Sequence, residues 1–262
     1  MPVCKLPSGQ TIGYDEAGSG APLILLHAFP LDRAMWQPQL AALSDVARVI
    51  APDLPGFGES SPAAFSIEGV AAVVAEFLAA LDIPKATVCG LSMGGYIALA
   101  LARKHADKLT ALVLADTRSG VDDTNTRASR DKSIATANEK GSAALFEGML
   151  PKVLCETTRN TRPEVVARVK EIAAKQPKES VTAALAALRD RPDANPGLKD
   201  IAVPTLVIVG EQDVVTPGLA AANLAGQIRG SKLVHLPDAG HLSNLENPDA
   251  FNAAVREFLA NS

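Results

Sequence analysis

The residues best placed to do chemistry surround Ser92, in the run Gly90-Leu91-Ser92-Met93-Gly94. Before it, Ala86-Thr87-Val88-Cys89 has the character of a short strand; after it, Tyr96-Ile97-Ala98-Leu99-Ala100-Leu101-Ala102-Arg103 reads as a helix. A serine between two glycines in a strand-to-helix turn holds its hydroxyl at the tip of a sharp bend, which suits a nucleophile. Large side chains two positions to either side would collide in so tight a turn, and this gives Gly90 and Gly94 a steric reason to be glycine. A glycine-rich linker is the competing reading, but both the spacing and the strand-helix context argue against it.

A serine hydroxyl is a poor nucleophile at its own pKa. Ser92 therefore needs a base within hydrogen-bond reach and an acid to orient that base. Of the four histidines, His27 ends an early strand, His105 lies at a helix C-terminus as a dipole partner, and His235 sits inside a strand. His241 remains, in the loop Asp238-Ala239-Gly240-His241 just after the last strand. For the acid, Asp213 in Gly210-Glu211-Gln212-Asp213 also follows a strand directly, and it gives the chain order Ser, Asp, His. Asp116, another strand-end aspartate, is its rival.

These residues need a scaffold that brings strand ends together. Apolar strand-like runs alternate with helical ones, the pattern of an α/β fold with a mostly parallel central sheet flanked by helices. Strands are predicted at Thr11 to Asp15, Pro22 to His27, Ala47 to Ala51, Ala86 to Cys89, Leu109 to Ala115, Thr205 to Gly210 and Lys232 to Leu236. Met35 to Leu43 reads as a short helix. Ser66 can cap another, in which Ile67, Val70, Val73, Val74, Phe77, Leu78 and Leu81 recur at helical spacing.

Between about Asp116 and Asp200 the character changes: strands vanish and Arg, Lys, Glu and Ala dominate. Helices are predicted at Thr124 to Lys140, Ser142 to Leu150, Pro163 to Lys175 and Glu179 to Arg189, the third opening on a proline that needs no amide proton there. The division expected is a core of residues 1–115 and 201–262 with a helical cap, 116–200, inserted as a lid. A separate helical domain or a plain surface bundle is the alternative.

With 262 residues, 47% of them hydrophobic, the chain can bury a large single core. A formal net charge of −4 gives no general attraction to nucleic acid or anionic membrane, which points to a small-molecule ligand. The N-terminal residues lack a signal-like apolar core and no run of about 18 apolar residues occurs, so the expectation is a cytoplasmic protein, monomeric or a small homo-oligomer. Cys4, Cys89 and Cys155 are widely spaced with no CxxC pair. No metal or nucleotide motif is present either, so neither a metal nor any other cofactor is expected.

Taken together, His27-Ala28-Phe29-Pro30, Asp53-Leu54-Pro55-Gly56-Phe57-Gly58-Glu59-Ser60, Gly90-Leu91-Ser92-Met93-Gly94-Gly95, Gly210-Glu211-Gln212-Asp213 and Gly240-His241 resemble the α/β-hydrolase superfamily over nearly the whole chain. The resemblance implies the α/β-hydrolase fold, Ser92 as nucleophile, His241 as base, Asp213 as orienting acid, and an oxyanion hole from the backbone amides of Met93 and Phe29. Within the superfamily the motifs are similar to bacterial serine esterases, to enol-lactonases and to cofactor-free haloperoxidases or perhydrolases. The segment from His241 to Pro248 is especially similar to the enol-lactonase ending. The family usually has glycine where this chain has Ala28.

The expected activity is a carboxylesterase or lactonase acting through an acyl-enzyme on small-molecule esters or lactones. A perhydrolase using the same triad and a non-catalytic binding protein on this fold are the alternatives. A serine at the elbow argues against dehalogenation, which needs a carboxylate there. With 4% aromatic residues, the pocket is expected to be largely aliphatic. Leu145, Met149, Leu150 and Leu154 come from the cap, Ala28 of the oxyanion loop is a candidate substrate contact, and Trp36 and Phe29 are candidate walls; each residue has a plain core role as its alternative. Arg118 and Arg189 are candidate cations for an anionic substrate, as an enol-lactonase would require, or else solvated surface.

Overall fold

The computed structural model describes residues 2–261. In chain order its elements are β1 (Val3–Lys5), β2 (Thr11–Ala17), β3 (Pro22–Leu26), α1 (Gln37–Leu43), β4 (Arg48–Pro52), α2 (Ile67–Ala80), β5 (Ala86–Leu91), α3 (Met93–Lys104) and β6 (Leu109–Ala115). Then come α4 (Thr124–Val153), α5 (Glu156–Thr161), α6 (Pro163–Ala174) and α7 (Lys178–Asp190), followed by β7 (Thr205–Gly210), α8 (Gly218–Gln227), β8 (Lys232–Leu236), α9 (Ser243–Glu246) and α10 (Pro248–Ala260). The strands form one sheet in the order β1-β2-β4-β3-β5-β6-β7-β8. β1 and β2 are antiparallel to their neighbours, and β4 through β8 run parallel with β3. This is the α/β-hydrolase arrangement expected from the sequence.

The sheet works because its central strands are apolar on both faces. In β3, Ile24 and Leu26 point into one layer with Val70, Val74, Phe77 and Leu78 of α2 and Ile97 and Leu101 of α3. Leu23 and Leu25 point the other way, toward Leu40 and Leu43 of α1 and Phe251 and Val255 of α10. The period of two along the strand sorts side chains between the layers, and each fully buried side chain of this size contributes about 1.5–3 kcal/mol of transfer free energy. α2 begins at the predicted cap, where the Ser66 side chain accepts the Gly69 amide.

The structure differs from the sequence reading at some boundaries. Arg33–Trp36 is a 3₁₀ turn capped by Asp32, so the predicted helix at Met35 starts as α1 at Gln37. α3 starts at Met93, not Tyr96, because Gly94 and Gly95 form its first turn rather than a loop. β1 and α5 are too short for a periodic signal.

The helices α4–α7 all lie between β6 and β7. α4 is broken at Gly141 (φ 82°, ψ 174°), between the two helices expected from the sequence. Leu145 of α4 and Leu185 of α7 join the apolar layer of α2 and α3, whereas Phe146 and Val169 join that of α1 and α10. The insertion thus shares its apolar core with the sheet. No helix among the described residues is long and apolar enough to cross a membrane.

Candidate active site

Parallel strands deliver their carboxyl ends to one edge, and the chemistry-bearing residues follow those ends: Phe29 after β3, Ser92 after β5, Asp116 after β6, Asp213 after β7 and His241 after β8. Ser92 has φ 54° and ψ −109°, outside the relaxed regions for an L-residue. Close packing around the turn holds it there. A Cβ on Gly90 would strike the Gly94 carbonyl, and one on Gly94 would strike the Leu26 carbonyl of β3. The Ser92 amide donates to Ala115 O at 2.9 Å and its carbonyl accepts the Thr117 hydroxyl at 2.9 Å.

His241 Nε2 lies 2.9 Å from Ser92 Oγ, and His241 Nδ1 lies 2.9 Å from Asp213 Oδ2. With Nδ1–H donating to the carboxylate, the Nε2 lone pair is left to accept the serine proton. Asp213 is held in turn: Thr216 Oγ1 donates to Oδ2 at 2.5 Å, and the amides of Val215 and Thr216 donate to Oδ1 at 2.7 and 3.0 Å. Burial would raise the Asp213 pKa, but His241 and these hydrogen bonds outweigh it and bring it down to about 2. Burial would lower that of His241, but the Asp213 charge and hydrogen bond outweigh it, so the imidazole pKa is raised above 6.5.

Asp116, the rival acid, is fully buried and does not contact His241 by hydrogen bond; it accepts the Gly210 amide at 2.9 Å and the Ser243 hydroxyl. Burial, reinforced by the charge of Asp213, pushes its pKa well above the ordinary carboxylate range. His27 is also buried: its Nε2 accepts the Leu54 amide at 2.9 Å, its Nδ1 lies 3.1 Å from Ala28 O, and burial pushes its pKa down to about 4. It fastens β3 to the loop after β4. The amides of Met93 and Phe29 have no hydrogen-bond partner among the described residues. Ala28 lies outside the positive-φ region, so its methyl is compatible with this loop; its amide points at Met35 Sδ, 3.2 Å away.

Ser92 and His241 open into a cavity of about 590 Å³. Phe29, Leu145 and Met149 line it as expected, as does Arg118. Ala28 and Trp36 do not. The Trp36 indole is fully buried on the opposite face, with its ring centroid 6.0 Å from that of Phe251, because the 3₁₀ turn directs it against α10. Leu150 and Leu154 pack away from this cavity, and Arg189 lies outside it, paired with Asp131 and Asp190. Tyr96, Leu185, Leu188, Val214 and Val215 complete the apolar wall, and the sequence reading missed them. Tyr96 was legible as the residue four after Ser92, one helical turn on; nothing local marked the other four.

The sequence matches the α/β-hydrolase fold family over residues 21–248. It is 31% identical over 239 residues to 3-oxoadipate enol-lactonase 2 of Acinetobacter baylyi, covering 90% of this chain and 88% of the relative. Among solved structures it resembles a thermophilic esterase from Thermogutta terrifontis, determined with malate bound: TM-score 0.95, 36% identity, 99% and 98% of the two chains covered. It also resembles the enol-lactonase from Burkholderia xenovorans LB400: TM-score 0.92, 31% identity, 99% and 100% covered.

Proposed function

The chain belongs to the α/β-hydrolase fold family, and from that premise we propose that it is a serine hydrolase of small carboxylic esters and lactones, with Ser92 as nucleophile, His241 as base and Asp213 as orienting acid. The observation that carries this reading is the continuous line Ser92 Oγ, His241 Nε2, His241 Nδ1, Asp213 Oδ2, with both links at 2.9 Å. The esterase and enol-lactonase relatives support the reaction class.

In this mechanism Ser92 Oγ attacks the carbonyl carbon as its proton passes to His241 Nε2. The oxyanion forms between the unpartnered amides of Met93 and Phe29, each such donor being worth about 3 kcal/mol of barrier. His241 then gives the proton to the leaving alkoxide, and the acyl group stays on Ser92. Water repeats the sequence: its proton goes to His241, its oxygen attacks the acyl carbon, and the proton returns to Ser92 Oγ as the acid leaves. Asp213, held ionised by its three hydrogen bonds, fixes the imidazole tautomer and stabilises the imidazolium. The helices between β6 and β7 act as the lid over this chemistry, supplying the wall formed by α4 and α7.

The test is covalent labelling with a fluorophosphonate, read by mass, together with turnover of p-nitrophenyl butyrate and of a simple δ-lactone. The expected result is one adduct on Ser92 and hydrolysis of both, with Ser92→Ala losing at least ~10³-fold in kcat. Folded protein that takes no label overturns the hydrolase reading, and inert lactones leave a plain carboxylesterase. Turnover that requires added peroxide would transfer the triad to perhydrolysis.

A further inference from the structure

The helical insertion reaches the loop that carries Phe29 through one buried side chain. Gln176 lies between α6 and α7 and is 3% exposed. Its Nε2 donates to Asp32 Oδ2 and to Ile172 O, each at 2.8 Å, and its Oε1 accepts the Gly58 amide at 3.0 Å. Its backbone carbonyl accepts the Ser142 hydroxyl at 2.8 Å, one residue beyond the break in α4 at Gly141. A residue that only closed the end of α6 would need the Ile172 link alone. The bonds to Asp32 and Gly58 instead cross 144 and 118 residues of chain and hold two further segments.

Both segments bear on Phe29. Asp32 follows it by three residues and caps the 3₁₀ turn Arg33–Trp36, its Oδ1 accepting the Ala34 amide at 2.9 Å. Between Phe29 and Asp32 the chain doubles back, with the Leu31 amide donating to Ala28 O at 2.9 Å. A displaced Asp32 therefore turns the peptide that presents the Phe29 amide. Gly58 belongs to the loop after β4, whose Asp53 accepts the Arg33 amide at 2.9 Å and whose Leu54 amide donates to His27. Arg168 of α6 adds a second tie to the same turn, its Nη2 donating to Ala34 O at 3.2 Å. Neither Gln176 nor Asp32 is hydrogen-bonded to His241 or Asp213 among the described residues.

We propose that Gln176 is a positioning residue of the oxyanion hole: through Asp32 it fixes the direction of the Phe29 amide, so the insertion sets a catalytic donor as well as the cavity wall. This rests on the hydrolase reading of Ser92 and adds to it how one donor is held. A donor lowers the barrier most when it already points to where the charge will develop and need not reorient. Supporting hydrogen bonds supply that rigidity, and the bond from the Gln176 amide to the Asp32 carboxylate is strengthened by its charge. The Ser142 link extends the hold to the second half of α4, the half that lines the cavity with Leu145 and Met149.

The test measures kcat and KM on p-nitrophenyl butyrate, and the inhibition constant of butyl trifluoromethyl ketone, which adds to a serine hydroxyl and places an oxyanion in the hole. Gln176→Leu, close in size but unable to bond, should lose about ten- to a hundredfold in kcat with KM changed by less than about threefold. The inhibition constant should rise by the factor by which kcat/KM falls, and the midpoint of the pH profile should stay in place, since His241 and Asp213 keep their bonds. In Gln176→Glu a second carboxylate meets Asp32, and kcat should fall at least as far. Adding Asp32→Asn restores a hydrogen bond between the two side chains with donor and acceptor exchanged, and should recover part of the loss. Unchanged kcat in Gln176→Leu, or a loss with the inhibition constant unmoved, reduces Gln176 to a fold-stabilising residue and overturns the inference. If Gln176→Leu does not fold, the exchange decides: a double variant no more active than Gln176→Glu overturns it too. If the unaltered protein turns over no ester and Ser92 takes no fluorophosphonate, the hydrolase reading fails and this inference falls with it.

Discussion

Glu246 brackets His241 without touching it: its Oε1 accepts the amide of Gly240 at 3.0 Å and that of Leu242 at 3.2 Å. Its Oε2 accepts the amide of Cys155 at 2.7 Å, at the start of α5. One buried carboxylate therefore fastens both shoulders of the histidine to the helical insertion. The Arg162 guanidinium, donating to the carbonyls of Leu245 and Glu246 at 3.3 and 2.7 Å, ties the same turn to the insertion a second time.

Glu246→Gln places an amide NH₂ where a carboxylate oxygen faced a donor, and so shifts His241. We expect kcat to fall by about ten- to a hundredfold, with KM changing less. The Glu246 charge also helps raise the His241 pKa, so the acid limb of kcat/KM should move to lower pH. An unmoved limb with unchanged kcat would reduce Glu246 to a fold-stabilising role.

Asp213→Asn should cost on the order of 10⁴-fold in kcat, because an amide favours the wrong imidazole tautomer and cannot stabilise the imidazolium. Asp116→Asn should cost less than about tenfold. Burial raises the Asp116 pKa, and its carboxyl is bonded to Gly210 and Ser243 rather than to His241, so asparagine, a near-isostere, leaves the His241 contacts in place. Steady-state kinetics on both variants checks this, and the reverse ranking would move the acid role to Asp116.

In the proposed mechanism the base works only when His241 is neutral, so kcat/KM should rise with pH along a single limb. Because the Asp213 charge outweighs burial, the midpoint lies above the 6.5 of an ordinary histidine. Asp213→Asn removes the raising charge and leaves the burial, which should carry the residual activity's limb below that of the unaltered protein. A profile flat across the neutral range would argue against a histidine base.

Gly94→Ala should lower stability by about 1–3 kcal/mol, since its Cβ runs into the Leu26 carbonyl and β3 and α3 must separate. The same shift displaces the Met93 amide, so kcat should drop along with the thermal midpoint. Gly226→Ala on α8, where a Cβ meets nothing within 4 Å, is the control and should be neutral or mildly stabilising.

The sequence by itself determined the strand-helix alternation, because periodicity and turn residues are local signals, and it marked Ser92 because Gly90 and Gly94 have a local steric reason. It also located the break in α4, since Gly141 interrupts two helical patterns. It narrowed the acid to two strand-end aspartates. Only the tertiary structure shows which of the two His241 meets, since the sheet order sets which carboxyl end stands beside β8: Asp213 bonds His241 while Asp116 turns to Gly210 and Ser243. Trp36 shows the same limit. As one of the few aromatic residues it reads as a candidate pocket wall, yet the 3₁₀ turn after β3 packs it against Phe251 of α10 instead. Of the cations that line the cavity the sequence marked Arg118 alone, because helical spacing shows that Thr126, Arg130 and Ser133 share a face but not what that face looks upon. That depends on how α4 packs over the sheet, and packing is a relation between segments far apart in the chain.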